Sequence, residues 1–231
     1  MTPQSLIVAF ASQKGGTGKS TLARALGAVI AAAGLKVKIA DLDPQQQTVL
    51  EWEKLRDENR GDPPITVEGF DSAAEAIGSA EDDELLIIDA PAHANRGTLQ
   101  IARAATLVVQ PSSASIDDLR PAVLLFHELV EAGIPKERLV LALCRILSEA
   151  EAERARVYLE EAGYDVLPGY IPERTAYREA HSRGQAVTET KALNARLDEL
   201  MEGLYERVAM LLRARQRRQR PVVARKKKEA S

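Results

Sequence analysis

One stretch near the start of the chain restricts its fold more than any other: Gln13-Lys14-Gly15-Gly16-Thr17-Gly18-Lys19-Ser20-Thr21, directly after the apolar run Leu6-Ile7-Val8-Ala9-Phe10-Ala11. A buried strand that opens into a glycine-rich turn and then an Ala/Leu-rich helix is the context needed to hold phosphate groups. Glycines let backbone N–H groups approach phosphate oxygens without a Cβ in the way. Lys19 is placed to reach the β- and γ-phosphates, and the Ser20 hydroxyl to bind Mg²⁺. The ending Gly18-Lys19-Ser20 fits the P-loop pattern, although the position five residues before Gly18 holds Gln13 in place of glycine.

The 231 residues suffice for one sizeable core. Aromatic residues make up only 4% of the chain, so Ala, Leu, Val and Ile must build it. The single cysteine, Cys144, excludes an internal disulfide and suits a reducing cytoplasm. Met1–Ser5 carries no basic region of the signal-peptide kind, and no stretch approaches the ~20 apolar residues of a membrane span. A cytoplasmic protein is expected. The net charge of −3 conceals an asymmetry. From Arg213 on there are nine basic residues and one acid, which leaves the preceding body with 22 basic and 33 acidic residues, a balance of −11.

Past the loop, strand and helix signals alternate. Helices are expected over 17–33, 47–60, 72–80, 98–104, 116–132, 149–162, 175–182 and 192–215. Strands are expected over 36–43, 65–70 (an edge strand), 85–91, 106–110, 138–144 and 165–170, with 111–113 as a loop. This alternation predicts a doubly wound, mostly parallel sheet with helices on both faces, a three-layer α/β/α P-loop fold. The domain is expected to span 1–212, followed by a flexible basic tail over 213–231.

In open α/β sheets ligands sit beyond the carboxyl ends of the strands. The chemistry-bearing residues cluster there. The loop follows the first strand, Asp41 and Asp43 end the second, and Asp89 ends Leu85-Leu86-Ile87-Ile88. An acid after such an apolar strand commonly contacts Mg²⁺ through water.

Lys14, inside the loop, is a residue that a simple P-loop lacks. The run Lys-Gly-Gly-Thr-Gly-Lys-Ser-Thr resembles the deviant Walker A box of the ParA/MinD ATPases. Asp41-Leu42-Asp43-Pro44-Gln45 is similar to that family's switch I segment. The resemblance implies that Asp43 orients the attacking water. For Asp41 it implies a place in the Mg²⁺ shell, beside the alternative of a structural acceptor. It also implies that Lys14 crosses a dimer interface to the partner's ATP and stabilises transition-state charge in trans.

Asp89-Ala90-Pro91-Ala92-His93 departs from the family's Asp-x-Pro-Pro, and His93 reads as a loop histidine without catalytic duty. Cys144-Arg145 stands where members carry Asn-Arg, so the adenine-contacting amide is missing. Gly169–Arg174, with Ile171, Pro172 and Glu173, resembles the adenine-flanking loop.

Leu193, Leu197, Leu200, Leu204, Val208 and Leu211 make one apolar face on the last helix. It reads as a face lying on the core, whereas a membrane-targeting helix is disfavoured by Asp198, Glu199, Glu202 and Glu206. The family further implies an ATP-dependent homodimer, non-specific DNA binding and stimulation by a ParB-like or small ribbon-helix-helix adaptor. DNA contact falls on Arg178 and Arg183 and on the tail arginines Arg213, Arg215, Arg217, Arg218 and Arg220. The expected role is plasmid or chromosome partition on the bacterial nucleoid, without the DNA-reading domain that larger relatives place before the first strand. A MinD-like or conjugation-linked positioning ATPase, and a nucleotide-gated scaffold with little turnover, are the alternatives.

Overall fold

The computed structural model describes residues 6–43, 46–80, 85–92, 96–191 and 194–228. Leu6–Phe10 (β1) leads through the glycine-rich loop into Lys19–Ala32 (α1), followed by Val37–Asp41 (β2), Thr48–Glu58 (α2), Thr66–Gly69 (β3) and Ala73–Gly78 (α3). Leu85–Asp89 (β4), Arg96–Ala104 (α4), Leu107–Ser112 (β5), Ile116–Glu131 (α5), Leu139–Ile146 (β6) and Glu149–Glu161 (α6) continue the alternation. Asp165–Val166 (β7), Ile171–Pro172 (β8), Thr175–His181 (α7) and Ala195–Lys228 (α8) complete it.

Among the described residues the eight strands pair in parallel, in the order β3-β2-β4-β1-β5-β6-β7, with β8 also on β6. Strict side-chain alternation divides each central strand between two cores. Leu6, Val8, Phe10, Leu85 and Ile87 face a layer built from α1, α2, α7 and α8. Ile7, Ala9, Leu86 and Ile88 face α3, α4, α5 and α6. Because both faces are covered, these strands read as unbroken apolar runs, and each fully buried Leu or Ile contributes about 1.5–3 kcal/mol.

The expected three-layer α/β/α architecture is the one observed, with differences at three places. Of the strand expected over 165–170 only Asp165–Val166 (β7) is strand; Leu167 N–H still donates to the Leu141 carbonyl of β6, Tyr170 N–H turns to the Arg196 carbonyl, and Ile171–Pro172 (β8) then pairs with β6 further along. Pro111 and Ser112 belong to β5, where they pair with Ala142 and Leu143, and are not a loop. The last helix continues to Lys228, so the basic stretch is drawn as part of α8. The apolar stripe of α8 is core: Leu197, Leu200, Leu204 and Val208 are buried in the cluster that contains α1. Leu193 lies outside the described residues. Among the described residues no helix is long and apolar enough to cross a membrane.

Candidate nucleotide site

The register of the sheet assembles the site. Phe10, Asp41 and Asp89 are lateral neighbours across β1, β4 and β2, so two carboxylates end level with the start of the glycine-rich loop. Helix α1 has Gly18 as its N-cap with φ 113°, and no side chain caps it. Its first N–H groups are therefore open to an anion, and the helix dipole favours one there. Gly18 is required twice over. Its φ suits glycine, and a Cβ would come within 3.1 Å of Cys144 Cβ and Sγ.

Lys19 is buried, and its Nζ donates to the Lys14 carbonyl at 3.2 Å. Burial lowers its pKa, with Asp89 and Asp43 partly offsetting that. Asp89 is fully enclosed. Burial is the main reason its pKa is pushed up to about 7, the Asp41 charge adds to it, and a hydrogen bond from Ser20 with the charges of Lys19 and Arg24 opposes it. Asp89 Oδ1 has no hydrogen-bond partner, and neither does Thr17 Oγ1. A hydroxyl and one buried carboxylate with a spare oxygen make a donor set suited to Mg²⁺, which keeps waters and takes its other ligands from phosphates. Among the described residues no cluster of three or more His, Cys, Asp or Glu could hold a metal unaided.

Asp41 is used differently from an exposed metal ligand. One oxygen accepts from Asp43 N at 3.0 Å and the other from Val49 N and Leu50 N at 2.9 and 3.3 Å. Its carboxylate thus closes the N-terminus of α2 and fixes the segment bearing Asp43. Asp43 lines the cavity, with its carboxylate also accepting from Gln46 N at 3.0 Å. Pro44 and Gln45 of the expected switch I segment, and His93, lie outside the described residues.

Lys14 is half exposed and turned onto the start of α5, where Nζ pairs with Asp118 at 2.9 Å and meets the Asp117 carbonyl. Ser113 donates to the other Asp118 oxygen at 2.6 Å. Burial acts to raise the Asp118 pKa, but these two partners outweigh it and the net shift is downward. Arg145 stands at a register shift of β6 with φ 60°, a left-handed conformation uncommon for an arginine. It donates to Glu173 at 3.0 Å and to the Gly16 carbonyl at 3.2 Å, and Glu173 also takes Arg178 at 2.9 Å.

One cavity of about 450 Å³ brings together Gly15, Gly16, Gly18, Lys19, Ser20, Thr21, Asp43, Asp89, Arg145, Ile171, Pro172 and Glu173. Cys144 is also in its wall, where burial holds the thiol well above its ordinary pKa and so neutral. Sequence reasoning missed Arg24, Thr48, Tyr177 and His181, which line the same space. A charged residue one turn beyond Ser20 on an otherwise apolar helix was the available signal for Arg24. Nothing local marked His181.

Of the expected DNA contacts, Arg178 lines the cavity mouth and Arg183 is exposed beside Glu179 at 4.0 Å. Arg213 and Arg217 are exposed on α8 and Arg215 is half-buried. The side chains of Arg218 and Arg220 lie outside the described part.

A parallel sheet with an uncapped P-loop helix and two carboxylates at the adjoining strand ends defines a P-loop nucleotide-binding fold. The family described as the CobQ/CobB/MinD/ParA nucleotide binding domain matches residues 8–187, and the chain belongs to it. Solved structures are similar in fold. The septum site-determining protein MinD complexed with Mg-ADP from Pyrococcus horikoshii is 20% identical with a TM-score of 0.65, covering 91% of this chain and 98% of that one. An ATP complex of a McdA variant from Cyanothece is 19% identical with a TM-score of 0.64, over 88% and 96%. A ParA family ATPase from Chlorobium tepidum is 15% identical with a TM-score of 0.61, over 90% and 99%. No curated protein sequence is similar enough to this chain to count as a match.

Proposed function

We propose that this chain is a ParA-type partition ATPase that binds ATP with Mg²⁺, pairs with a second copy, binds DNA without sequence preference and hydrolyses ATP slowly until an adaptor stimulates it. The observation that carries this reading is the cavity whose wall joins Lys19 and Ser20 of the glycine-rich loop to Asp43 and Asp89, with Lys14 earlier in the same loop. Magnesium would neutralise phosphate charge, held by the Ser20 hydroxyl and Asp89. The amides from Gly15 to Thr21 cradle the phosphates, and Lys19 neutralises charge from the buried side. Asp43 is placed to orient water, and phosphoryl transfer needs such positioning more than it needs a strong base. Arg145, Ile171, Pro172 and Glu173 flank the base.

Lys14 acts in trans in this scheme. It must leave Asp118, an exchange of one partly exposed ion pair for contact with a polyphosphate. DNA contact falls to Arg178, Arg183 and the basic end of α8, whose cations release counterions from the duplex. The adaptor would be ParB-like or a small ribbon-helix-helix protein, and the location cytoplasmic and nucleoid-associated. Burial of the α8 stripe in the core argues against a membrane-docking role for that face.

Light scattering on the full chain tests the dimer. ATP with Mg²⁺ should double the apparent mass and ADP should not, while Lys14→Ala should stay monomeric yet still bind fluorescent ATP. Lys19→Ala should lose nucleotide binding. An ATP-loaded wild type that stays monomeric, with or without DNA, would overturn the reading.

A further inference from the structure

Helix α1 carries Lys19 and Ser20 in its first turn and, one turn further on, Arg24, to which the ATPase scheme gives no task. Arg24 is only 4% exposed, and burial draws its pKa down to about 10. Its neighbours on the helix, Leu22, Ala23, Ala25 and Leu26, are core residues. An apolar side chain of similar volume would be buried there at less cost than a guanidinium. The arginine instead reaches across to α2. Its Nη2 donates to the Thr48 carbonyl at 2.6 Å, and its guanidinium lies 5.7 Å from the centre of the Trp52 ring. Thr48 is the first residue of α2 and Trp52 stands one turn later, so a single side chain grips the start of that helix at two points.

The carbonyl of a first helical residue already accepts from the N–H four residues on, so Thr48 does not need Arg24 to be satisfied. The bond is a tie. What it ties includes Asp43. Gln47 N–H donates to the Asp43 carbonyl at 2.8 Å, Gln46 N–H to the Asp43 carboxylate at 3.0 Å, and Glu51 N–H to the Gln47 carbonyl at 2.9 Å. Asp43 is thereby bonded, through backbone and side chain, to the residues that lead into α2. Asp41 holds this segment from the sheet, through the N–H groups of Asp43, Val49 and Leu50. Arg24 holds it from α1, the helix that presents Lys19 and Ser20 to the same cavity as Asp43. Placement is critical for phosphoryl transfer, where an error of about 1 Å can cost about 10²-fold in rate.

We propose that Arg24 is a positioning residue for hydrolysis: by tying the start of α2 to α1 through Thr48 and Trp52, it sets the place of Asp43 relative to Lys19 and Ser20. The proposal rests on the ATPase reading and requires no contact between Arg24 and the nucleotide. Arg24 acts through Asp43, and its loss is felt in turnover and not in ATP affinity.

The test is a cycle on the full chain with Arg24→Met, Asp43→Ala and the double variant. Arg24→Met should lower kcat for phosphate release about tenfold or more, the worth of one charge-assisted hydrogen bond, and leave the affinity for fluorescent ATP within about twofold. In the Asp43→Ala background the same substitution should lower kcat no further, because a group that acts through Asp43 then has nothing to position. Amide hydrogen exchange of the nucleotide-free protein should quicken over 46–51 and stay unchanged in β4 and α5. Arg24→Lys keeps the charge without the planar fork and should recover part of the turnover. An unchanged kcat, an equal loss in both backgrounds, or a loss of ATP affinity in step with kcat overturns the proposal. Should Arg24→Met not fold, Arg24→Lys takes its place in the cycle, with a smaller loss in the same pattern expected and the same results overturning it. A wild type that releases no phosphate overturns the ATPase reading. The tie is then read from exchange alone, where quickening confined to 46–51 upholds it and a uniform or absent change overturns it.

Discussion

Glu189→Gln should destabilise the fold far more than its place in a short 3₁₀ turn suggests. Its partner Arg56 is 1% exposed, and all five of its N–H groups are used: Nε and Nη2 on the Pro63 carbonyl at 3.2 and 2.9 Å, Nη1 on the Gly184 carbonyl at 3.1 Å, and both Nη atoms on the Glu189 carboxylate at 2.8 Å each. Glu189 also accepts from Ala186 N at 2.7 Å. An amide in place of the carboxylate removes the counter-charge and turns N–H groups toward the guanidinium. Breaking one side of a buried pair costs about 3–5 kcal/mol, and the Glu189 side chain's partial exposure places this case near 3.

With a urea slope of roughly 3 kcal/mol/M, the unfolding midpoint should fall by about 1 M. Tryptophan fluorescence is a suitable probe because the single Trp52 lies 5.4 Å from Arg56. Arg56→Met/Glu189→Met should lose less than the single variant, since no charge is then left buried. Lys54→Met, which removes an exposed i,i+3 pair with Glu51, should leave the midpoint unmoved. A Glu189→Gln shift below about 0.3 M, no more than an exposed pair contributes, would refute the reasoning.

Asp43→Ala should retain ATP and prolong the ATP dimer, with phosphate release falling by about two orders of magnitude, as loss of a water-positioning group implies; an unchanged dimer lifetime would remove Asp43 from that role. Burial, and then the Arg24 charge, lower the His181 pKa from 6.5 to about 4. The unfolded chain therefore takes up a proton near pH 6.5 that the folded chain refuses, and wild-type stability should fall as pH drops from 6.5 to 4. His181→Gln should lack that component, worth at most about 3 kcal/mol, and parallel curves for the two proteins would contradict it. Deleting 213–231 should weaken duplex DNA binding and reduce the slope of log affinity against log salt by about 0.9 for each phosphate that the tail had neutralised. An unchanged slope would make the basic end inert.

The order and character of the main elements were legible because a doubly covered parallel strand must be apolar on both sides and a glycine-rich turn can serve few ends. Leu6–Ala11, Leu85–Ile88 and the loop between β1 and α1 announced the sheet and the cradle, and Asp41 and Asp89 could be placed at strand ends. What stayed hidden depends on residues far apart in sequence. Between β7 and β8 the Tyr170 N–H leaves the sheet for the Arg196 carbonyl, 26 residues further on. Asp41 could have faced a metal or a backbone, and only the position of α2 over the end of β2 gave its oxygens Val49 and Leu50.

Local pattern by itself determined that this chain builds a phosphate cradle on a parallel sheet, since backbone sterics and side-chain period act between near neighbours. Tertiary structure alone decided what surrounds the cradle. Cys144 packs beneath Gly18, Asp118 holds Lys14, and His181 stands beside Arg24 because separate crossovers return these residues to one end of the sheet. The burial that perturbs Lys19, Asp89 and His181 exists only once α1, α2 and α7 have closed over that end.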